Sequence, residues 1–278
     1  MTLTFGCNTL YPRGRLPGAV EVFDLGAHRE ALRNIRDAGL DGCEFSHFQH
    51  LTPVDQEKLR EVCSCLGLTP WSAHSWQVLP ADPEQVDGAL PALKTSIEGA
   101  ARLGVRVLVV HAAGCAPERY PQRAAALARS LGLLSPQAQS VGLTVAVENC
   151  ADRRDLEFLA ETLAGLDLPA VGFNIDTGHA VLGGMKPAEA IGIMGKRLAT
   201  THLQDNFGQR DDHLPPGRGT IAWEAVRDAL RQVGYGGMLM VEISDCPPGR
   251  EPEPVKDTRA AADYLKTLFG VPLRQASA

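Results

Sequence analysis

Val171-Gly-Phe-Asn-Ile-Asp-Thr-Gly-His-Ala180 is the stretch on which the reading of this chain turns. It begins as an apolar run of strand length and ends in Asp176 and His179, three residues apart, with Gly178 between them. Buried parallel strands read as near-continuous apolar runs, and side chains that do chemistry sit where such a strand passes into its loop. An Asp and a His leaving one strand end suit a divalent-metal or sugar-hydroxyl site. They equally suit a plainer role, with Asp176 capping the helix that follows.

The same unit, a strand followed by a helix, repeats on both sides. Strand patterns precede it at Thr4–Leu10, Asp41–Ser46, Thr69–Ser75, Val105–His111 and Leu143–Cys150, and follow it at Leu198–Asn206 and Gly237–Ser244. Helical patterns fall between them, near His28–Ala38, Pro53–Leu66, Pro83–Leu103, Pro121–Val141, Arg154–Ala164, from Pro187, Trp223–Gln232 and Val255–Phe269. Gly39, Gly67, Gly104 and Gly142 read as helix stops. Tyr11–Gly18 is a loop rich in Gly and Pro, and residues 271–278, Arg274–Ala278 above all, read as a frayed tail. Eight such units at roughly 35-residue spacing predict an α/β fold, a (β/α)8 TIM barrel, as one domain over residues 1–278. A doubly wound open sheet would want a glycine-rich phosphate turn after its first strand, and Cys7-Asn-Thr-Leu10 does not supply one.

Composition narrows the function. With 278 residues, 44% of them hydrophobic, there is ample material for one large core. No apolar run approaches the roughly 18–20 residues of a membrane span, and the first residues enter a strand without a secretory pattern. Seven cysteines, an odd number without paired zinc-type spacing, suit a reducing compartment, so a cytoplasmic location is expected. The net charge of −6 gives no electrostatic case for nucleic acid or an anionic membrane. A small-molecule sugar or polyol is the expected partner, with a homo-oligomer left open.

In a barrel of this kind the C-terminal strand ends share one mouth, where the active sites of the fold lie. The residues expected there are His74, His111, Glu148, Asp176, His179, His202, Asp205, Asp211, His213 and Glu242, which include five of the chain's eight histidines. Glu148 and Glu242 each follow an apolar run, where a carboxylate is costly to bury unless paired or bound to metal. Cys150 lies two residues past Glu148 on the same strand face and reads as packing.

Val147-Glu-Asn149, Asn174-Ile-Asp-Thr-Gly-His179, His202-Leu-Gln-Asp205, Asp211-Asp-His-Leu-Pro-Pro-Gly-Arg-Gly219 with Trp223, and Val241-Glu242 together resemble the xylose-isomerase-like barrels. That group comprises sugar and sugar-phosphate isomerases and epimerases related to the apurinic-site endonuclease. The resemblance implies one divalent ion (Mn²⁺, Mg²⁺, Co²⁺ or Zn²⁺) on Glu148, Asp176, His202 and Glu242, with His179 contacting substrate beside His74, His111 and Arg210. Chelating a hydroxyl and its neighbouring carbonyl acidifies the C–H between them, and Glu148 and Glu242 are the pair to take and return that proton through a cis-enediolate.

Two departures stand out. Ketose epimerases of the family carry a Glu six residues past the first metal Glu, where this chain has Arg154, and an Arg six residues past the metal His, where it has Gly208 with Arg210 nearby. Conversely, His74, His111, His179, Asp211 and His213 are further ligand types of the kind the apurinic-site endonuclease uses for its zinc cluster. A zinc-dependent phosphodiesterase acting at abasic sites is therefore the second expectation. A barrel that binds sugar without turnover is the third.

Overall fold

The apolar runs become strands and the periodic segments become helices in the computed structural model, which describes residues 3–10, 24–150, 152–243 and 253–273. The expected Tyr11–Gly18 loop and the Arg274–Ala278 tail lie outside the described residues. The order is β1 (Phe5–Asn8), α1 (Leu25–Asp37), β2 (Gly42–Ser46), α2 (Pro53–Leu66), β3 (Thr69–Leu79), α3 (Val86–Leu103), β4 (Val107–Ala112) and α4 (Tyr120–Ser140). It continues with β5 (Thr144–Glu148), α5 (Arg153–Ala164), β6 (Val171–Asp176), α6 (Thr177–Leu182), α7 (Pro187–Met194), β7 (Leu198–His202), α8 (Trp223–Val233), β8 (Leu239–Val241) and α9 (Pro254–Phe269).

Each strand pairs in parallel with its neighbours in chain order, and β1 also pairs with β8. The β7–β8 seam closes just past β7, where the Leu203 amide donates to the Met240 carbonyl at 2.8 Å and the Glu242 amide to the Leu203 carbonyl at 3.3 Å. The fold is a single-domain α/β barrel of the kind the strand–helix spacing predicts. Among the described residues no helix is long and apolar enough to cross a membrane.

The helices start and stop for local reasons. Thr52 caps α2 by accepting from the Asp55 amide, Pro53 occupies the first turn, and Gly67 ends it at φ 66°. On α3 the buried Leu93, Ile97, Ala100 and Leu103 recur at helical spacing and face the sheet, and Gly104 ends it at φ 77°.

Strand alternation then builds two layers. Leu108 and Val110 pack outward in the main core, whereas Val107 and Val109 form a small inner cluster with Ala146. Side chains two apart share a face, so the inner positions continue upward from Val109 to His111 and from Ala146 to Glu148. Asn174 to Asp176 and Thr200 to His202 follow the same step, and Asp176 lies beside His202 in the β6–β7 register. The apolar plug thus sits below and the ionisable layer directly above it.

Three departures from expectation shape the mouth. β3 runs on to Leu79, so His74 lies inside the strand, at a register shift that lets Val78 pair with His111. β7 stops at His202 because Asp205 forms an antiparallel bridge with Leu214 instead of continuing the sheet. The short helix α6 follows β6 at once, because Asp176 caps it.

Candidate metal centre

Asp176 serves as cap and as site residue together. Its Oδ1 accepts from the His179 amide at 2.7 Å, while Oδ2 is 3.7 Å from His179 Nδ1 and 3.4 Å from Gln204 Nε2. The turn behind it is tight: a Cβ on Gly178 would stand 2.2 Å from Gln204 Oε1, so a larger residue there would displace the Gln204 amide from Asp176 and Asp211. Asn149 clamps the two strand ends, accepting from the Asp176 amide at 2.8 Å and donating to the Asp176 carbonyl at 3.0 Å.

His202 is the hub. Its Nδ1 lies 3.1 Å from Glu148 Oε2 and 3.0 Å from Glu242 Oε2, and its Nε2 lies 2.9 Å from Glu44 Oε1. All four side chains are essentially buried. Glu148, Asp176 and His202 each place one donor atom within 4.8 Å of the other two, and so do Asp176, His213 and Glu242. Glu148, Asp176 and His202 form one such group, and Glu242 adjoins it, 3.0 Å from His202 Nδ1 and grouped with Asp176 through His213.

Glu44 is a member of this cluster that the sequence reading did not single out. It accepts from Ser72 Oγ at 2.7 Å and faces His202 Nε2, an arrangement that turns the other imidazole nitrogen toward Glu148 and Glu242. A carboxylate behind a ligating imidazole fixes its tautomer and raises its basicity. The signal was present: Glu44 interrupts an apolar strand as Glu148 does.

The outer shell contains the other expected groups. His74 Nε2 is 2.9 Å from His111 Nε2, with the two rings stacked, and His74 Nδ1 is 3.7 Å from Glu242. His179 Nδ1 reaches Glu148 Oε1 at 3.0 Å and its Nε2 reaches Asp211 Oδ2 at 3.3 Å. His213 adopts a left-handed backbone, φ 46°, and places Nε2 3.6 Å from Glu242. Arg210 is not part of the cluster: its guanidinium is 77% exposed and pairs with Asp212 at 3.0 Å. Asp205 holds the 206–222 loop, accepting from the amides of Asn206, Gly217 and Ile221 and from Trp223 Nε1.

Cys150 corrects the packing expectation. It is an exposed residue whose Sγ lies 2.7 Å from His111 Nδ1. β5 ends at Glu148, so Cys150 lies beyond the strand and not on its packed face.

The electrostatics are those of buried carboxylates balanced by the imidazoles around them. Burial pushes the carboxyl of Glu148 up, but His202, His111 and His179 outweigh it and hold it well below the usual carboxylate range. The same balance holds for Glu242, with His202, His213 and His74 as its partners. Asp176, with less compensation, is pushed up to about 6 by burial and by Glu148 and Glu242. Burial lowers His202, yet Glu242, Glu44 and Glu148 raise it well above its ordinary value. Burial likewise lowers His213, but Glu242, Asp211 and Asp176 bring it to about 9.

Despite these short separations, His202 Nδ1, Glu148 Oε1 and Glu44 Oε1 are buried and make no hydrogen bond of acceptable geometry. Buried polar atoms are normally satisfied, and carboxylate oxygens with an imidazole nitrogen are the donor set of a divalent ion. The residues present fit one.

A cavity of about 160 Å³ opens beside the cluster, lined by His74, His111, Ser46, His47, Ser75 and Trp76, with the indole giving an apolar wall. A larger cavity of about 360 Å³, lined by residues such as Thr144, Val171 and Arg197, lies at the opposite end of the strands and contains none of the site residues.

Residues 32–268 match the model of a family described as xylose isomerase-like TIM barrel. An uncharacterized protein of Methanocaldococcus jannaschii is 30% identical over 188 residues, 63% of this chain and 62% of that protein. The match therefore spans about three fifths of that relative. Among solved structures, a D-tagatose 3-epimerase-like protein superposes with a TM-score of 0.74 at 20% identity, covering 96% of this chain and 97% of the other. The 3-keto-D-glucoside 4-epimerase YcjR from E. coli gives a TM-score of 0.74 at 20% identity, over 96% and 100% of the two chains.

Proposed function

Because the chain belongs to the xylose isomerase-like TIM barrel family, we propose that it is a divalent-metal-dependent sugar or sugar-phosphate isomerase or epimerase working by proton transfer. The observation that supports this most is the placement of Glu148 and Glu242 on either side of His202 Nδ1, at 3.1 and 3.0 Å. Glu148, Asp176, His202 and Glu242 would hold the ion, which would polarise the carbonyl of a bound hydroxy-carbonyl and acidify the adjacent C–H.

The chain's own residues supply the rest. Glu148 and Glu242, both held as carboxylates, take a proton from the substrate carbon and return one to it. His179, raised above its ordinary value by Asp176, Asp211, Cys150 and Glu148 against the effect of burial, donates to a substrate oxygen. Trp76 offers an apolar face to the sugar ring, and His74 and His111 offer polar contacts on the same side.

The test is turnover of a panel of free and phosphorylated ketoses in deuterated water with added metal. One solvent deuterium at the reacting carbon is expected, and a product formed without exchange would remove proton transfer from the reading. A metal-loaded crystal structure with these four side chains farther than about 3 Å from any shared ion would remove the site, since ligand distances should be near 2.0–2.3 Å.

A second reading, a zinc phosphodiesterase acting at abasic sites, draws on the convergence of His74, His111, His179, Asp211 and His213 around the same volume. The net charge of −6 weighs against a nucleic-acid substrate. Cleavage of an abasic duplex by the zinc-loaded protein decides it.

A further inference from the structure

The cavity of about 360 Å³ at the N-terminal end of the strands has no part in the centre described above. Its walls are Thr144, Gly172 and Ala199 near the starts of β5, β6 and β7, Asp167 from the loop after α5, and Lys196 and Arg197 just before β7. We propose that this cavity binds a small polyol with a terminal anionic group, phosphate or carboxylate. The anion sits on Lys196 and Arg197, and the hydroxyls on Asp167 and Thr144.

Strand geometry opens the space. Phe173 pairs with Leu198 but Asn174 with Thr200, so Ala199 is an extra residue in the β6–β7 ladder. A bulge of this kind bends its strand and interrupts the pairing. The side chains beside it are small. Gly172 has none, and a Cβ there would stand 2.6 Å from the Arg197 carbonyl and 3.1 Å from Ala199 Cβ. The concavity that results lies in the roughly 300–1,000 Å³ range of small-molecule sites.

Two cations in this wall are left without a carboxylate. Elsewhere Arg119 pairs with Asp82 at 2.8 Å, Arg129 with Asp87 at 2.7 Å and Lys256 with Glu253 at 2.9 Å. Among the described residues Lys196 and Arg197 form no such pair, although acidic side chains outnumber basic ones by 33 to 27 in the chain. Asp167 lies in the same wall without bonding to either of them.

Arg197 is also held in place. Its Nη2 donates to the Leu166 carbonyl at 3.1 Å, which fixes the guanidinium against the loop that carries Asp167. Its Nη1 is buried and has no hydrogen-bond partner. Buried donors are normally satisfied, and an anionic oxygen is the strongest acceptor a guanidinium can take. Lys196 is exposed and adds an ammonium at the rim.

The rest of the wall defines the ligand. Asp167 repels an anion and accepts from hydroxyls, so the charged group is confined to the Lys196–Arg197 side and the Asp167 side takes the polyol. The Thr144 hydroxyl can donate or accept, and its Cγ2 lies 3.6 Å from where a Gly172 Cβ would stand, so the side chain faces the same space. Leu198 and His202 are four residues apart on β7, about 13 Å at strand rise, so a ligand here touches none of the proposed metal ligands.

The experiment acetylates lysines of the full-length protein in the presence of sorbitol 6-phosphate, gluconate or neutral sorbitol, and reads each site by peptide mass mapping. Near saturation the anionic polyols should slow reaction at Lys196 by at least about 5-fold, because bound ligand covers the amine. Neutral sorbitol should not, and exposed Lys186 is the internal control. In Arg197→Gln, protection of Lys196 should need at least about 10-fold more ligand, since a charge-assisted fork is lost. Stronger protection by sorbitol 6-phosphate identifies a phosphate ester and stronger protection by gluconate a carboxylate; either supports the site. The wild-type comparison does not depend on the folding of any variant. No protection up to about 10 mM ligand, equal protection by sorbitol, equal protection of Lys186, or an unchanged titration in Arg197→Gln would each overturn the proposal.

Discussion

Asp205→Asn should destabilise the protein strongly although it changes one atom type and almost no volume. Oδ1 of Asp205 accepts from the Asn206 amide at 3.0 Å and the Ile221 amide at 3.2 Å, and Oδ2 accepts from the Gly217 amide at 3.0 Å and Trp223 Nε1 at 2.8 Å. The residue is fully buried. Whichever way the new amide turns, its NH₂ faces two N–H donors and can accept from neither. Each buried donor left without a partner costs about 1–3 kcal/mol, so two cost about 2–6 kcal/mol. At about 2–4 °C per kcal/mol for a chain of this size, the melting temperature should fall by about 5–20 °C. Rotation cannot relieve the mismatch, because both oxygens are already fully used, and the loop cannot easily shift: a Cβ on Gly219 would stand 2.2 Å from Asp205 Oδ1. Differential scanning calorimetry with and without metal is the assay. A variant melting within about 2 °C of wild type would refute the view that this carboxylate pins the loop carrying Asp211 and His213.

The remaining predictions concern the centre itself. Glu148→Gln keeps the size of the side chain but removes a base and a negative ligand, so turnover should fall by at least about 10²-fold, more than for Asp205→Asn assayed below its melting point; near-normal turnover would end the proton-transfer reading. Glu44→Gln should weaken the ion held by His202 by about 10–100-fold while leaving Glu148 and Glu242 in place, read by competition with a chelator, and unchanged affinity would make Glu44 merely structural. Metal binding should release protons: His202 is held above its ordinary value by Glu242, Glu44 and Glu148, so at neutral pH it is charged and must lose a proton to coordinate. Affinity should therefore rise with pH, and calorimetric titrations in two buffers of different ionisation enthalpy should give different heats, equal heats being the contrary result.

Much of this was legible because a barrel strand has a period of two and a fixed polarity. An apolar run ending in Glu148, Asp176 or Glu242 brings its carboxylate to the C-terminal end of a strand, where the barrel opens. Glu44 was passed over because it stands in the middle of the strand pattern Asp41–Ser46, whereas the candidates were sought at strand ends. Cys150 was read as packing on the β5 face, but it lies past the end of that strand and is exposed, since parity along a strand says nothing about where the sheet ends. Arg210 could be placed in the loop but not aimed: the 206–222 loop takes its course from Asp205, and that course leaves the guanidinium with Asp212 in solvent.

The two roles that the sequence leaves open for Asp176 are not alternatives. A helix cap uses one carboxylate oxygen, and Asp176 spends Oδ1 on the His179 amide, leaving Oδ2 toward the cluster. The same economy applies to Glu148, whose two oxygens face two different imidazoles, and to His202, whose two nitrogens face carboxylates on opposite sides. In the metal-free chain the histidines supply the positive charge that these buried carboxylates require, which is why His202 and His213 are raised while Glu148 and Glu242 are lowered. A divalent ion held as proposed would take over that charge, and His202 would become a ligand by losing the proton that Glu242, Glu44 and Glu148 hold on it. The cluster is therefore preorganised by its own ion pairs, and the proposed metal binding would exchange protons for a cation within a barrel mouth that is already shaped.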